Sequence, residues 1–363
     1  MKQLYTLALL AAGFIATAQD GAPASPYYDG FNFEQAGTAL KNALATKITN
    51  THTNELTYTP GLWNALKNTD LDPEDTSHTN VLLLYGYSSA ICPAGASTDD
   101  THRRRNKDSN GGSNSCEWNR EHVYPQSLGT PDLGQIGPGA DAHHLRACDV
   151  DRNGARANKL YTTGSGNSGN SGSGWYPGDE WKGDVARILM YMYLHYGNQC
   201  LPTGAVMGET VSTDSNMPLI LLQWNAEDPV SDFEDQRNTY LGNANNPFGQ
   251  GNRNPFIDNP YLATLIWGGP IAEDRWDLGA IDDVFAAQLA VYPNPSVNHE
   301  VNIYSETELT EIELVNLNGQ LVQKITRPNA VNQSYTLSNL PYGFYLLKVT
   351  AGESTATKKV IVN

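Results

Sequence analysis

The sequence WNREHVYP, residues 118–125, is a short strand-like run that a proline ends. A connection rich in glycine and proline leads from it to DAHHL at 141–145, and Asp149 to Tyr161 then has the character of a helix. Asp149 suits the N-cap of that helix. One helix face collects residues at three- or four-residue spacing, namely Val150, Asn153, Ala157 and Leu160. The order predicts two strands followed by a helix whose apolar face, with Asn153, packs toward the strands.

Three side chains in this segment suit hydrolysis of a phosphodiester with one metal ion. Glu121 offers a carboxylate oxygen and Asn153 an amide oxygen, which are ligands that a hard cation such as Mg²⁺ prefers. Mn²⁺ and Ca²⁺ are alternatives. His122 offers an imidazole that is neutral near pH 7 and can take a proton from an attacking water. We therefore expect one divalent cation beside a histidine general base.

Charged and polar neighbours of these residues are further candidates for the site. Arg120 and Arg156 are expected to stabilise the reacting phosphate, with ion-paired scaffolding as the alternative. Arg152, Arg156 and Lys159 recur at i, i+4 and i+7, which predicts a basic stripe for phosphate oxygens. The expected nucleic-acid contacts are Arg152, Lys159 and Arg146. Candidate site-orienting residues are His143, for which a structural role is the alternative, and Asn158.

Longer motifs give the chain a family resemblance. The strings NREHVYPQSLG, DAHHLR and NGARAN resemble, in order and spacing, the ββα-metal core of the bacterial endonuclease I family of extracellular and periplasmic nucleases. Further matching strings are KGDVAR at 182–187, WNAEDPVSDFE at 224–234 and QGNRNPFIDNP at 250–260. The resemblance implies His122 as the general base, Glu121 as a metal ligand and Asn153 as the residue that completes the site. It also implies products with a 5′-phosphate and a 3′-hydroxyl.

The net charge of −16 argues at first against a polyanionic substrate such as DNA or RNA. From His102 to Lys159, however, nine Lys and Arg residues stand against seven Asp and Glu residues. This window is therefore +2 and the remainder of the chain −18. The basic character of the chain lies around the motifs, so DNA, and RNA beside it, stay the expected partners.

The N-terminus and the cysteines both indicate export. Residues 1–18 have the pattern of a signal peptide, with Lys2, an apolar run from Leu4 to Ile15 and small residues at Ala16-Thr17-Ala18. The apolar run is too short for a permanent membrane span. The four cysteines lie far apart without a CxxC pair, which favours one or two disulfides of open connectivity: Cys92, Cys116, Cys148 and Cys200.

The last part of the chain changes in character. Short alternating strands follow Leu289, and Asn318-Gly319 is a hairpin signal. The strings YPNPS, VNLNGQLV and LPYGFYLLKV resemble the C-terminal sorting domain of proteins exported by the type IX secretion system. That resemblance implies the type IX machinery as a partner, and a secreted protein that is released or attached to the cell surface.

The resulting expectation is an α+β protein. A mainly helical nuclease domain with a ββα-metal core is predicted at 19–288, and a small all-β sandwich at 289–363. Within the first domain, Asp184 to Tyr196 predicts a core helix and Gly164 to Gly174 a flexible insertion. A monomer without a membrane span is expected. Two other functions stay open, a metal-dependent phosphomonoesterase and a calcium-binding surface adhesin.

Overall fold

A computed structural model describes residues 23–33, 35–86, 103–112, 114–276, 278, 285–286, 288–316, 319–331, 333–352 and 354–363. The predicted signal peptide, Cys92 and Asn318 lie outside these residues.

The region before residue 289 combines helices with short strand pairs. Its helices are α1 (Gly37–Thr51), α2 (Gly61–Thr69), α3 (Val150–Arg156), α4 (Lys182–Tyr196), α5 (Leu219–Glu227), α6 (Asp232–Gly242), α7 (Pro255–Asp258) and α8 (Tyr261–Trp267). Its strands are β1 (Asn80–Leu82), β2 (Arg104–Asn106), β3 (Trp118–His122), β4 (Leu145–Asp149), β5 (Gly169–Ser171), β6 (Gly174–Tyr176), β7 (Thr210–Val211) and β8 (Asp214–Pro218). These strands form four antiparallel pairs, which are β1 with β2, β3 with β4, β5 with β6, and β7 with β8.

Helix α4 lies at the centre of this region and confirms the predicted core helix. Every residue from Gly183 to Leu194 is buried, so the helix is enclosed on all sides and not only on the predicted apolar face. Helices α1, α5 and α7 pack against it.

Strands β3 and β4 and helix α3 carry the motif residues. Glu121 pairs with Arg146 and His122 with Leu145 across the two strands. The Asp149 carboxylate caps α3 as predicted, accepting hydrogen bonds from two backbone amides of the first turn. The helix ends at Arg156, five residues earlier than the sequence predicts. Ala157 has a φ of +50°, a left-handed conformation that no α-helix continues through.

The glycine- and serine-rich segment at 164–174 is an ordered hairpin, so the predicted flexible insertion is wrong. Its strands β5 and β6 pair antiparallel. The Ser168 hydroxyl donates to the Tyr85 carbonyl over 2.6 Å. A Cβ at Gly164 would collide with the ring of Tyr176, so close packing requires glycine there. Gly164 is therefore required for close packing and not for chain mobility.

The C-terminal region is all-β, as predicted. Its strands are β9 (Ala290–Tyr292), β10 (Val301–Tyr304), β11 (Glu311–Asn316), β12 (Leu321–Thr326), β13 (Ser334–Leu337), β14 (Gly343–Ala351) and β15 (Ser354–Val362). They form antiparallel sheets of order β13-β10-β9 and β12-β11-β14-β15. Both sheets contribute to one buried apolar cluster, for example through Ile303, Leu314 and Leu347.

Two cysteines of the first region are free thiols. Cys148 and Cys200 are both buried and unbonded, which excludes the alternative with two disulfides. A disulfide that involves Cys92 stays a prediction, because that residue lies outside the described part of the chain. Among the described residues, no helix combines the length and the apolar character needed to cross a bilayer.

Candidate active site

Glu121 is a buried carboxylate on β3 with two partners. Its Oε1 accepts a hydrogen bond from the Tyr85 hydroxyl at 2.8 Å and lies 3.2 Å from Nη1 of Arg156. Burial raises the pKa of Glu121, while the charge of Arg156 and the Tyr85 hydrogen bond act in the opposite direction. Both of these partners contact Oε1, so the other oxygen is the one suited to a further ligand.

His122 ends the same strand and has a defined tautomer. Its Nε2 lies 3.2 Å from the carbonyl oxygen of Gly139. A carbonyl can only accept, so Nε2 carries the proton and Nδ1 keeps its lone pair. Burial lowers the pKa of His122 to about 4, helped by the charges of Arg120 and Arg156 and opposed by the Gly139 hydrogen bond. The imidazole is therefore neutral at pH 7, with Nδ1 able to accept a proton.

Asn153 extends from α3 to β3. Its amide nitrogen donates to Oδ1 of Asn119 at 2.7 Å and to the Arg120 carbonyl at 3.3 Å. The backbone carbonyl fixes which end of the amide is nitrogen, because only an N–H can donate to it. The amide oxygen is the end suited to a cation. Asn153 and Arg156 lie one turn apart, so one face of α3 reaches both the start and the end of β3.

Arg156 holds the end of β3 in place. Its guanidinium is buried and donates to the carbonyls of His122 at 3.1 Å and Val123 at 2.9 Å. It also lies over the Tyr161 ring, 4.7 Å from the centroid. These contacts connect α3 to the strand that carries both Glu121 and His122.

Comparison with known proteins identifies the family. The family model described as Endonuclease I matches residues 36–261. The chain belongs to the endonuclease I family. The family model described as the secretion system C-terminal sorting domain matches residues 290–363. The protein is thus a secreted nuclease, an enzyme that hydrolyses nucleic acids. This sets aside the adhesin and phosphomonoesterase alternatives.

Curated relatives agree with this assignment. The chain is 38% identical to an extracellular ribonuclease of Bacillus subtilis (strain 168), over 68% of its own length and 82% of the relative. It is 40% identical to an extracellular ribonuclease of Bacillus amyloliquefaciens, over 64% of this chain and 75% of the relative. Among solved structures, one of PorZ, a surface component of the type IX secretion system of Porphyromonas gingivalis, was also found. The match covers 24% of this chain and 13% of the PorZ chain, with 14% sequence identity and a TM-score of 0.19.

Arg120 lies close to His122. Its guanidinium is 3.7 Å from the centroid of the Tyr58 ring, and the His122 ring stacks on Tyr58 with centroids 5.8 Å apart. Arg120 also donates to Oγ1 of Thr59 at 3.1 Å. Arg120 and His122 thus share one aromatic neighbour, and a catalytic role for Arg120 stays a prediction.

One expected nucleic-acid contact, Arg146, and one expected catalytic residue, Arg156, need correction. Arg146 is fully buried and donates to Asp184 at 2.8 Å, so it cannot reach a substrate on the surface. Arg156 is also buried, so the predicted basic stripe on α3 does not exist as an exposed surface. Arg152 and Lys159 remain partly exposed, although Arg152 donates to the Ser168 carbonyl at 2.7 Å.

The predicted site-orienting residues contact residues other than Glu121, His122 and Asn153. His143 is buried, and its Nε2 lies 2.9 Å from the Asn252 carbonyl. This contact fits the alternative in which His143 has a structural role. Asn158 is exposed and lies 3.5 Å from the Ser127 hydroxyl. Instead, His144 lies next to His122, with their ring centroids 5.3 Å apart. The pair of adjacent histidines in the sequence signalled a histidine near the site, but not which one.

Proposed function

We propose that this enzyme is an endonuclease without sequence preference that hydrolyses DNA and RNA, with water as the nucleophile. The supporting observation is the tautomer of His122, since its Nε2 is engaged by the Gly139 carbonyl and its Nδ1 can take a proton from water. Attack by water needs no 2′-hydroxyl, so DNA is a substrate as well as RNA. The names of the two ribonuclease relatives support RNA as a substrate.

Glu121 and Asn153 are the residues that would hold one divalent cation, with Mg²⁺ as the first choice and Mn²⁺ and Ca²⁺ as alternatives. A carboxylate oxygen and an amide oxygen form a donor set that fits such a hard cation, which retains several waters. The Asn153 amide nitrogen is engaged by the Arg120 carbonyl, so its oxygen is the end that fits. When bound, the cation would offset charge on the phosphate and on the departing 3′ oxygen.

In this proposal β3, β4 and α3 form the ββα-metal core. His122 accepts the proton of the attacking water, and Arg120 adds positive charge next to the phosphate. Arg156 and Tyr85 act on Glu121 and keep the carboxylate in one orientation. They are positioning residues, because they contact the motif side chain and not the substrate.

The proposed domain organisation of the whole chain is the one that the sequence predicts. A nuclease domain at 19–288 precedes a sorting domain at 289–363, and the type IX secretion machinery recognises the latter. The mature enzyme is released or attached to the cell surface, and it acts as a monomer.

The test compares DNA and RNA under identical conditions. Supercoiled plasmid and single-stranded RNA are incubated with the secreted protein, with and without EDTA, and the product ends are analysed. We expect metal-dependent cleavage of both, with 5′-phosphate and 3′-hydroxyl ends, and a loss of about 10²- to 10⁴-fold in His122→Ala. His78→Asn removes an exposed histidine and serves as the matched control.

Two outcomes would overturn the proposal. One is full activity in EDTA or in His122→Ala. The other is cleavage of RNA alone with 2′,3′-cyclic phosphate ends, which would mean that the 2′-hydroxyl and not water is the nucleophile.

A further inference from the structure

Tyr85 has a strained backbone next to the nuclease site. Its φ is +71°, a left-handed conformation that is unusual for a bulky residue. Such a conformation persists only where the surrounding contacts enforce it, and it is frequent at functional sites. The Tyr85 hydroxyl donates to Oε1 of Glu121 at 2.8 Å. The residue with the strained backbone is therefore in direct contact with the carboxylate proposed to bind the cation.

The glycine- and serine-rich hairpin at 164–174 and its second strand β6 hold Tyr85 at two points. The Ser168 hydroxyl donates to the backbone carbonyl of Tyr85 at 2.6 Å. The Trp175 ring, on β6, packs edge-on against the Tyr85 ring, with centroids 5.5 Å apart. Ser168 and Trp175 are both buried. One contact fixes the backbone of Tyr85 and the other its ring, so together they determine where its hydroxyl lies.

Ser168 is also connected to α3. Its backbone carbonyl accepts a hydrogen bond from Nη1 of Arg152 at 2.7 Å, and its hydroxyl oxygen accepts from the same nitrogen at 3.2 Å. A serine hydroxyl has one hydrogen to donate and lone pairs to accept with. The hydrogen goes to Tyr85 and a lone pair to Arg152, so the hydroxyl has one defined orientation. Ser168 thus lies between Tyr85, which contacts Glu121, and the helix that carries Asn153.

We propose that Ser168 is a positioning residue of the nuclease site. Its hydroxyl holds the backbone of Tyr85, and Tyr85 in turn directs its own hydroxyl at Oε1 of Glu121. With Oε1 engaged, the other carboxylate oxygen is the one available to the cation. This inference rests on the proposed function, because it gives Ser168 a role toward the cation proposed at Glu121 and Asn153.

The test measures cation binding and not cleavage. The secreted protein is stripped with a chelator and titrated with Mn²⁺, whose free form is followed by electron paramagnetic resonance. The binding event that Glu121→Gln removes is the one compared between variants. Loss of a partner of a metal ligand costs about 10–100-fold in metal affinity, which we expect for Tyr85→Phe. Ser168→Ala acts one contact further away and should weaken Mn²⁺ binding by about 3- to 10-fold, the equivalent of one hydrogen bond.

A matched control and a double variant separate positioning from general support of the hairpin. Ser171→Ala is the control, because the Ser171 hydroxyl also donates to a backbone carbonyl, that of Thr163 at 2.7 Å. It should leave Mn²⁺ binding unchanged. The double variant Ser168→Ala/Tyr85→Phe should bind Mn²⁺ like Tyr85→Phe alone, since Ser168 acts through a hydroxyl that is already missing. Each single substitution removes one oxygen atom, and tryptophan fluorescence checks the fold.

Three results would overturn the role of Ser168. They are unchanged Mn²⁺ binding in Ser168→Ala, an equal loss in Ser171→Ala, and a double variant in which the two single losses multiply. The last result would mean that Ser168 acts by a route other than Tyr85. If the unaltered protein shows no Mn²⁺ binding that Glu121→Gln removes, the proposed cation site itself is wrong, and the role of Ser168 falls with it. The unaltered protein thus distinguishes the two failures.

Discussion

Replacing Arg156 by methionine is expected to destabilise the nuclease region strongly, and not only to lower activity. The substitution leaves the buried Glu121 carboxylate without its cation and the carbonyls of His122 and Val123 without their donor. Removing one partner of a buried ion pair costs about 3–5 kcal/mol. Since domains are stable by only about 5–15 kcal/mol, this loss brings the region close to unfolding. Lysine retains the charge but cannot reproduce the forked contacts. The stability of Arg156→Lys should therefore lie between that of the unaltered protein and that of Arg156→Met.

The assay is chemical unfolding followed by tryptophan fluorescence. All seven tryptophans lie between residues 63 and 276, so this signal reports on the nuclease region. Lys159→Met removes a partly exposed cation just beyond the same helix and should change the unfolding free energy by less than about 0.5 kcal/mol. An Arg156→Met protein that unfolds like the unaltered one but has lost activity would refute the positioning role. It would show instead that the guanidinium acts on the substrate.

Three other outcomes are expected. Arg146→Met should destabilise the fold by about 3–5 kcal/mol, measured by the same unfolding assay, while any folded protein keeps the same salt dependence of nucleic-acid binding. Lys159→Ala should reduce the slope of log affinity against log salt by about 1, measured by binding titrations at several salt concentrations. Burial lowers the pKa of His143 to about 4 and of His144 to about 3. The unfolded chain takes up protons near pH 6.5 and the folded one does not, so stability is complete above pH 6.5 and falls below it. By pH 5 the loss is about 2 kcal/mol for each histidine, which unfolding at both pH values would detect.

The local sequence predicted the secondary-structure elements of the site better than the contacts that their side chains make. The N-cap at Asp149 and the order of β3, β4 and α3 follow from short-range patterns, and the structure has both. The end of α3 did not follow, because an alanine at φ +50° carries no sequence signal. The predicted stripe grouped Arg156 with Arg152, whereas Arg156 shares the helix face of Asn153 and lies against Glu121.

The sequence-based predictions failed mainly for side chains whose partners are distant in the sequence. Arg146 is two residues from His144 in the sequence, but its burial depends on its ion pair with Asp184, 38 residues further on. The carbonyl of Gly139 sets the tautomer of His122, and a backbone carbonyl has no residue type to recognise. Tyr85 and Ser168 are 83 residues apart and form no motif. Such contacts arise only from tertiary packing, so one sequence alone does not reveal them.

The positive window around the motifs offers less to a substrate than its charge suggests. Five of its nine cations are paired with carboxylates: Arg103 with Glu180, Arg104 with Asp72, Arg105 with Asp149, Arg146 with Asp184 and Arg156 with Glu121. Of the other four, Arg152 donates to the Ser168 carbonyl, and Lys107, Arg120 and Lys159 complete the set. Each phosphate contact steepens the salt dependence by about 0.9, so these four would give a slope no steeper than about −4. The rest of the chain is acidic, so contacts of basic side chains with the nucleic-acid backbone are weak. The proposed cation at Glu121 and Asn153 would therefore be the main attraction for a phosphate.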